Sequence, residues 1–330
     1  MGLGVLFIGG TGLISLPCVH EALAAGHSVT VFNRGQRGEA VPAGVECLVG
    51  DCGDPAALKA LAARHFDLVC QFIAYMPAEI ERDIALFGGR TGQYVFISSA
   101  SAYRKPADRW PITEATPLEN PFWEYSRRKA ACEAVLAGQD RLPWTVVRPS
   151  HTVRTHFPTG MSERDAVASR LRRGLPVVVH GDGTSLWTLT RAEDFAVPFV
   201  RLFGQPAALG EAFHITADHA YSWNQIYGAI AAVLGVKAEI VHVPSDTLIR
   251  FRPDWTGPLL GDKANSAVFD NSKVKAVVGG FACARDLEVI LAAPLAAYRA
   301  RVGAGAPEPD PLDPVFDAVI AAQRAVRPAA

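Results

Sequence analysis

The sequence predicts an α/β protein: a Rossmann-type doubly wound parallel sheet followed by a smaller C-terminal α/β substrate lobe. Three observations carry this reading. The apolar run Val5-Leu6-Phe7-Ile8 feeds directly into the glycine-rich turn Gly9-Gly10-Thr11-Gly12-Leu13-Ile14. Similar short apolar runs recur up to Pro149, separated by stretches long enough for a helix. Such continuous runs suit strands covered on both faces. Third, Tyr125 and Lys129 stand four residues apart within one of the intervening stretches.

The first unit reads as strand, turn, helix, strand. The helix-compatible stretch after Ser15 runs to Ala25 and stops at Gly26-His27, before the second run Val29-Thr30-Val31-Phe32. A buried strand entering a glycine turn and a helix N-terminus is a dinucleotide site. There the glycines let backbone approach a pyrophosphate, and the helix end offers N–H donors. Gly9, Thr11, Gly12, Leu13 and Ile14 are therefore cofactor candidates. Ser15 occupies the place of the usual third glycine and is small enough for close helix–strand packing. The second strand ends in Asn33-Arg34, with Arg37 nearby, instead of the carboxylate that would bind a ribose 2′-hydroxyl. An arginine suits a 2′-phosphate, so NADP is favoured over NAD.

The third run, Val45 to Val49, ends at Gly50-Asp51-Cys52, where Asp51 and Cys52 can meet an adenine edge. The fourth, Phe66 to Ile73, places Phe72, Ile73 and Ala74 at its carboxyl end, followed by Tyr75. The fifth, Tyr94-Val95-Phe96-Ile97, ends in Ser98-Ser99. Ligands bind beyond the carboxyl ends of such strands, which puts all of these at the functional edge. The segment from Arg104 to Glu124, with Pro106, Pro111, Pro117 and Pro121, reads as a long loop covering that edge.

Tyr125 and Lys129 are one helical turn apart on one face. An ammonium beside a phenol favours the phenolate, which lets a tyrosine move protons near neutral pH.

Taken together, the GGTGLI turn, the strand ending in Ser98-Ser99, Tyr103 four residues further on, Tyr125/Lys129 and Arg148-Pro149 resemble the extended short-chain dehydrogenase/reductases. The segments GHSVTVFNRG, GDCGD, QYVFISSASAY, VVRPSHTV, GDGTSLWTLTRAEDFA and FDNSKVK resemble its epimerase/dehydratase-like branch, which is related to chloroplast stem-loop RNA-binding proteins. The resemblance implies that Ser99 orients a substrate oxygen and Tyr125 is the acid/base. It implies that Lys129 binds the nicotinamide ribose, with Pro149, Ser150 and His151 near the carboxamide. It further implies a homodimer. Ala100-Ser101 replaces the Asp-Glu pair of the family's sugar dehydratases, which disfavours dehydration. Trp187 replaces an arginine that holds a nucleotide-sugar diphosphate, so a diphosphate substrate is disfavoured too.

The expected domains are residues 1–150 for the dinucleotide, with a returning segment near 184–205. Residues 151–183 and 206–302 form the substrate lobe, and 303–330 a linker with a terminal helix. Tyr75, Ser101, Tyr103, Trp123, Arg154 and Trp187 are the substrate-binding candidates. Ser162 to Arg173 is rich in arginine and reads as a solvated helix face, with a lid that binds a substrate anion as the alternative. His151 and His156 lack further ligand types nearby, so no metal is expected.

The chain has 330 residues, 49% hydrophobic and 20% charged, with a net charge of −1. That composition suits a globular, cytoplasmic protein acting on a small molecule, without a basic footprint for nucleic acid or membrane. Six scattered cysteines without CxxC spacing read as reduced thiols. No apolar run is long enough to span a membrane. The leading functional expectation is an NAD(P)-dependent oxidoreductase or epimerase acting on a sugar-like substrate. The alternatives are an RNA-binding protein and a non-catalytic NADP(H)-binding protein on the same fold.

Overall fold

The computed structural model describes residues 2–36, 41–161, 164–303, 305 and 307–326. Its strands are β1 (Gly4–Ile8), β2 (Ser28–Asn33), β3 (Glu46–Val49), β4 (Leu68–Gln71), β5 (Gln93–Ile97) and β6 (Trp144–Pro149). They continue with β7 (His151–Val153), β8 (Val177–His180), β9 (Leu186–Arg191), β10 (Glu211–Ile215), β11 (Ala220–Ser222) and β12 (Ile240–Val243). Seven of them form one sheet in the order β10-β6-β5-β4-β1-β2-β3, and every pairing in it is parallel. This is a Rossmann-type doubly wound sheet. Its order reverses at β1, between β4 and β2, and a crevice opens there beyond the carboxyl ends.

Helices cover both faces, which is why Val5–Ile8 of β1 and Tyr94–Ile97 of β5 can be continuous apolar runs. On one face Cys18, Val19 and Ala22 of helix Ser15–Ala24 pack with Phe195, Ala196 and Phe199 of helix Ala192–Arg201. On the other, Leu58, Leu61, Ile80, Ile84, Cys132 and Leu136 lie over Leu6, Ile8, Val69 and Phe96. Helix Glu124–Ala137 buries Ser126, Lys129, Cys132, Glu133 and Leu136, a face with helical spacing that includes two charged residues. Glu133 is neutralised by Arg148 of β6, whose Nε donates at 3.0 Å.

The second lobe holds a three-stranded sheet, β11-β9-β7, and a two-stranded one, β12-β8. The segment that returns to the first sheet differs from the expected 184–205. Strand β9 belongs to the smaller sheet, while helix Ala192–Arg201 and strand β10 belong to the larger. The pattern of β10, Glu-Ala-Phe-His-Ile, hides the edge strand of the large sheet because His214 is polar yet fully buried. Its Nδ1 meets the Tyr103 hydroxyl at 3.0 Å and its Nε2 the Asp270 carbonyl at 2.8 Å.

The arginine-rich stretch is neither a solvated face nor a lid among the described residues. Its helix spans Ala166–Arg172, with Ala166 to Leu171 buried. Arg170 donates to Asp313 at 2.9 Å and Asp317 at 2.6 Å, and Arg173 donates to Asp313. These arginines anchor the terminal helix Asp313–Val326, whose Phe316, Val319 and Ile320 complete a core with Val178, Val243 and Leu248. The expected helix start at Ser162 lies outside the described residues.

Candidate active site

The turn after β1 is held by its own side chains. Gly9 has φ +84°, and a Cβ there would come within 2.4 Å of Ile73 Cγ2, so only glycine fits. Ser15 accepts from the Gly12 N–H and donates to the Gly9 carbonyl, both at 2.7 Å. The small residue at the third glycine position thus clamps the turn as well as letting the helix approach.

Beyond this turn lies a cleft of about 920 Å³. Gly9, Thr11, Gly12, Leu13, Ile14, Asn33 and Arg34 line one end of it, with Asp51 and Cys52 beside them. Phe72, Ile73, Ser98, Ser99, Tyr125, Lys129, Pro149 and Ser150 line the remainder. Ala74 is buried and takes part through its carbonyl, which accepts from Lys129. Arg37 lies outside the described residues. Asn33 Oδ1 accepts from the Gly35 N–H at 2.7 Å, which shapes the loop carrying Arg34. Arg34 is exposed at the cleft wall. Burial pushes the Cys52 thiol up to about 11, so it is neutral.

Arg82 also lines this cleft and was not apparent from motifs. Its Nε and Nη2 donate to Asp83 Oδ1, and its Nη1 to the Cys52 carbonyl at 3.0 Å. Asp83 is itself buried, held by Gln71 and Tyr94 at 2.7 Å each. A buried carboxylate thus aims a half-buried guanidinium at the Cys52 end of the cleft. The only sequence signal is the Arg-Asp pair in a helix following the carboxyl end of β4.

Lys129 is buried, and its ammonium donates to the carbonyls of Ala74 and Ile97, both at 2.8 Å. It stands 4.8 Å from the centre of the Phe96 ring and 6.0 Å from that of Tyr125. Burial lowers its pKa to about 8. Tyr125 is half-buried between two other aromatic rings, Trp123 at 5.0 Å and Tyr75 at 6.0 Å. Ser99 Oγ meets Ser101 Oγ at 2.8 Å and accepts from the Ser101 N–H at 3.2 Å. Ser101 Oγ in turn accepts from Ser126 Oγ at 2.8 Å.

A second cavity of about 650 Å³ shares Leu13, Tyr75, Ser99, Tyr125, Pro149 and Ser150 with the first. The two spaces meet at Ser99 and Tyr125. Ser101, Trp123, His151 and Trp187 line the second cavity. His151 is therefore on its wall as well as next to Ser150, which lines the first cleft. Trp187 Nε1 donates to His151 Nδ1 at 2.9 Å, which fixes the imidazole as the neutral Nε2–H tautomer. Burial lowers the His151 pKa to about 3. Asn120 joins the lobes by donating to the carbonyls of Ser101 at 2.7 Å and Gly261 at 2.6 Å.

Two expected substrate residues are placed elsewhere. Tyr103 is fully buried below the site, where its hydroxyl accepts from Arg148 Nη1 at 3.0 Å and meets His214. It completes the hydrogen bonding of a buried guanidinium, and burial raises its pKa. Arg154 does not line either cavity.

This sheet, turn and paired Tyr–Lys helix define a dinucleotide-binding protein of the extended short-chain dehydrogenase/reductase type. The chain belongs to the NAD dependent epimerase/dehydratase family, whose model matches residues 5–216. It is 28% identical over 254 residues to 2′-dehydrokanamycin reductase of Streptomyces kanamyceticus, covering 74% of this chain and 70% of that one. It is also 28% identical over 255 residues to the chloroplast stem-loop binding protein of 41 kDa b of Arabidopsis thaliana, covering 72% and 65% of the two. An epimerase from the methanogen Methanothermobacter thermautotrophicus has the same fold at TM-score 0.75 and 16% identity, over 91% of this chain and 93% of that chain.

Proposed function

We propose that the protein is an NADP(H)-dependent oxidoreductase acting on a hydroxyl or carbonyl carbon of a sugar-like substrate, with Tyr125 as acid/base. The observation that carries this is the meeting of the two cavities at Ser99 and Tyr125, with Lys129 behind the tyrosine. The donor set of the cleft fits a nicotinamide dinucleotide: a glycine cradle that a Cβ would fill, a helix N-terminus, and cations at Arg34 and Arg82. When bound, that cofactor supplies or accepts the hydride. Gly12, Leu13 and Ile14 would hold its pyrophosphate, Arg34 a 2′-phosphate, and Pro149 and Ser150 the carboxamide end.

The chain's own residues handle the proton and the oxygen. Ser126 donates into Ser101, so the Ser101 hydroxyl can in turn donate to Ser99, an arrangement that leaves the Ser99 hydroxyl hydrogen to bond a substrate oxygen. The Tyr125 hydroxyl moves the proton to or from that same oxygen, and the Lys129 charge favours its phenolate form. Trp123, Tyr75 and Trp187 give the second cavity an aromatic lining suited to the C–H surface of a sugar. Ala100-Ser101 supplies no acid and base for eliminating water, and Trp187 supplies no charge for a diphosphate.

A net reductase and an epimerase differ in what the cofactor does between turnovers. Exchangeable NADPH on the purified protein would support a reductase, a choice that the reductase among its relatives also supports. Tightly retained oxidised cofactor supports internal recycling. Tyr125→Phe is expected to abolish turnover while leaving cofactor affinity intact; full activity in that variant overturns the mechanism.

A further inference from the structure

The second cavity contains charges that the hydride-transfer reading leaves without a role. Lys105, Asp262 and Lys263 line it together, opposite no other carboxylate among its described lining residues. Lys105 is 3% exposed and Lys263 9% exposed. Lys105 Nζ lies 3.7 Å from Asp262 Oδ1, an ion pair too long for a direct hydrogen bond. Lys263 forms no salt bridge or side-chain hydrogen bond with any described residue, though its charge acts with that of Lys105 on the single carboxylate of Asp262. Its fixed partners are made by its backbone: the carbonyl accepts from His180 Nε2 at 2.8 Å and Trp223 Nε1 at 3.1 Å. Those two bonds fix the backbone of Lys263 at the cavity wall, and neither involves its ammonium. The charge of Lys263 is felt nearby, since it adds to burial in holding His151 in its neutral form.

The group therefore carries one net positive charge. A proton passing from Lys105 to Asp262 would neutralise both and leave that total unchanged. Burial favours such a transfer, lowering the Lys105 pKa and raising that of Asp262. An uncompensated buried cation is costly and calls for an anion. A carboxylate restores neutrality, whereas a doubly charged phosphate monoester overshoots and an amine adds repulsion.

We propose that the substrate carries a carboxylate, bound in the second cavity by Lys263 with Lys105 beside it. This rests on the reading of that cavity as the substrate site, and it narrows the substrate class to acidic sugars or similar hydroxy acids. Trp123 and Tyr75 then face the ring or chain while the carboxylate fixes which carbon reaches Tyr125.

The test is binding, read by calorimetry on NADP+-saturated enzyme, so it does not depend on turnover. D-glucuronate and D-gluconate are compared with D-glucose, D-glucosamine and D-glucose 6-phosphate. The expected result is binding of at least one of the two carboxylates about tenfold or more tighter than the neutral and cationic sugars. Lys263→Gln should erase that preference and Lys263→Arg should retain it, with NADP+ affinity unchanged in both. Equal binding of glucose, failure of both carboxylates to bind, tighter binding of the phosphate, or a preference that survives Lys263→Gln would each overturn the proposal. Carboxylate binding without hydride transfer would leave it standing and sink the catalytic reading instead.

Discussion

The Lys129 ammonium stands 4.4 Å from the centre of the Tyr75 ring. That ring, together with Phe96, closes a largely apolar shell in which the charge is satisfied by two backbone carbonyls. The Ile97 carbonyl ends β5 and the Ala74 carbonyl lies in the loop after β4, so one cation ties that loop to the sheet.

Lys129→Met should therefore do two things. Leaving two carbonyls without their donor costs about 2 kcal/mol of stability or more, measured by denaturant unfolding. Turnover should fall about a hundredfold or more, because the phenolate of Tyr125 loses its support. The pH dependence separates the charge from the packing. The folded pKa near 8 lies below the ordinary 10.5, so the native state is disfavoured while the amine is charged in both states. That penalty is relieved as pH rises from about 8 towards 10.5. The wild-type protein should gain stability relative to Lys129→Met across that window, and a flat difference would contradict the assignment.

Ser126 never touches the second cavity, yet it donates into the relay that ends on Ser99. Ser126→Ala should lower kcat about threefold to tenfold with little change in KM, since only the orientation of the Ser99 hydroxyl is affected. Steady-state kinetics with any accepted carbonyl substrate would check this, and unchanged kcat would remove the relay from the mechanism.

Arg34 is the exposed cation at the end of β2. Arg34→Ala should weaken NADP+ about tenfold or more while sparing NAD+, as read by fluorescence titration of the two cofactors. Equal loss for both would mean that Arg34 serves the shared part of the dinucleotide.

His151 is partly buried and His180 fully so, and both are neutral, with pKa values of about 3 and 4. Their folded values lie below the ordinary 6.5, so their contribution is complete above pH 6.5 and is lost as pH falls below it. Each then costs about 1.4 kcal/mol per pH unit until its folded pKa is reached. His151→Gln should flatten this acid limb, measured as unfolding free energy between pH 7 and 5.

Much of the first lobe was legible because its strands are covered on both sides. Val5 to Ile8 and Tyr94 to Ile97 are continuous apolar runs for that reason, and Gly9 announces the turn. The cofactor edge follows from the same logic, since it is wherever those runs stop. What was not legible depends on partners far away in the chain. Arg170 looked solvated until Asp313 and Asp317 were brought beside it. Tyr103 looked like a pocket aromatic until Arg148 and His214 claimed its hydroxyl. Arg82 and Lys263 carry no motif at all; one is aimed by a buried neighbour and the other is isolated by its fold.

The anchoring of helix Asp313–Val326 by Arg170 and Arg173 also sets an order of events during synthesis. Everything that this helix packs against is translated before it. Val178, Val243 and Leu248 emerge from the ribosome with one side of their core open, and Arg170 emerges without its carboxylates. The large sheet, complete at Ile215, can close well before that. The second lobe is thus finished last, by a segment that lines neither cavity, and the half-made lobe is the form of this chain most exposed to chaperones and proteases.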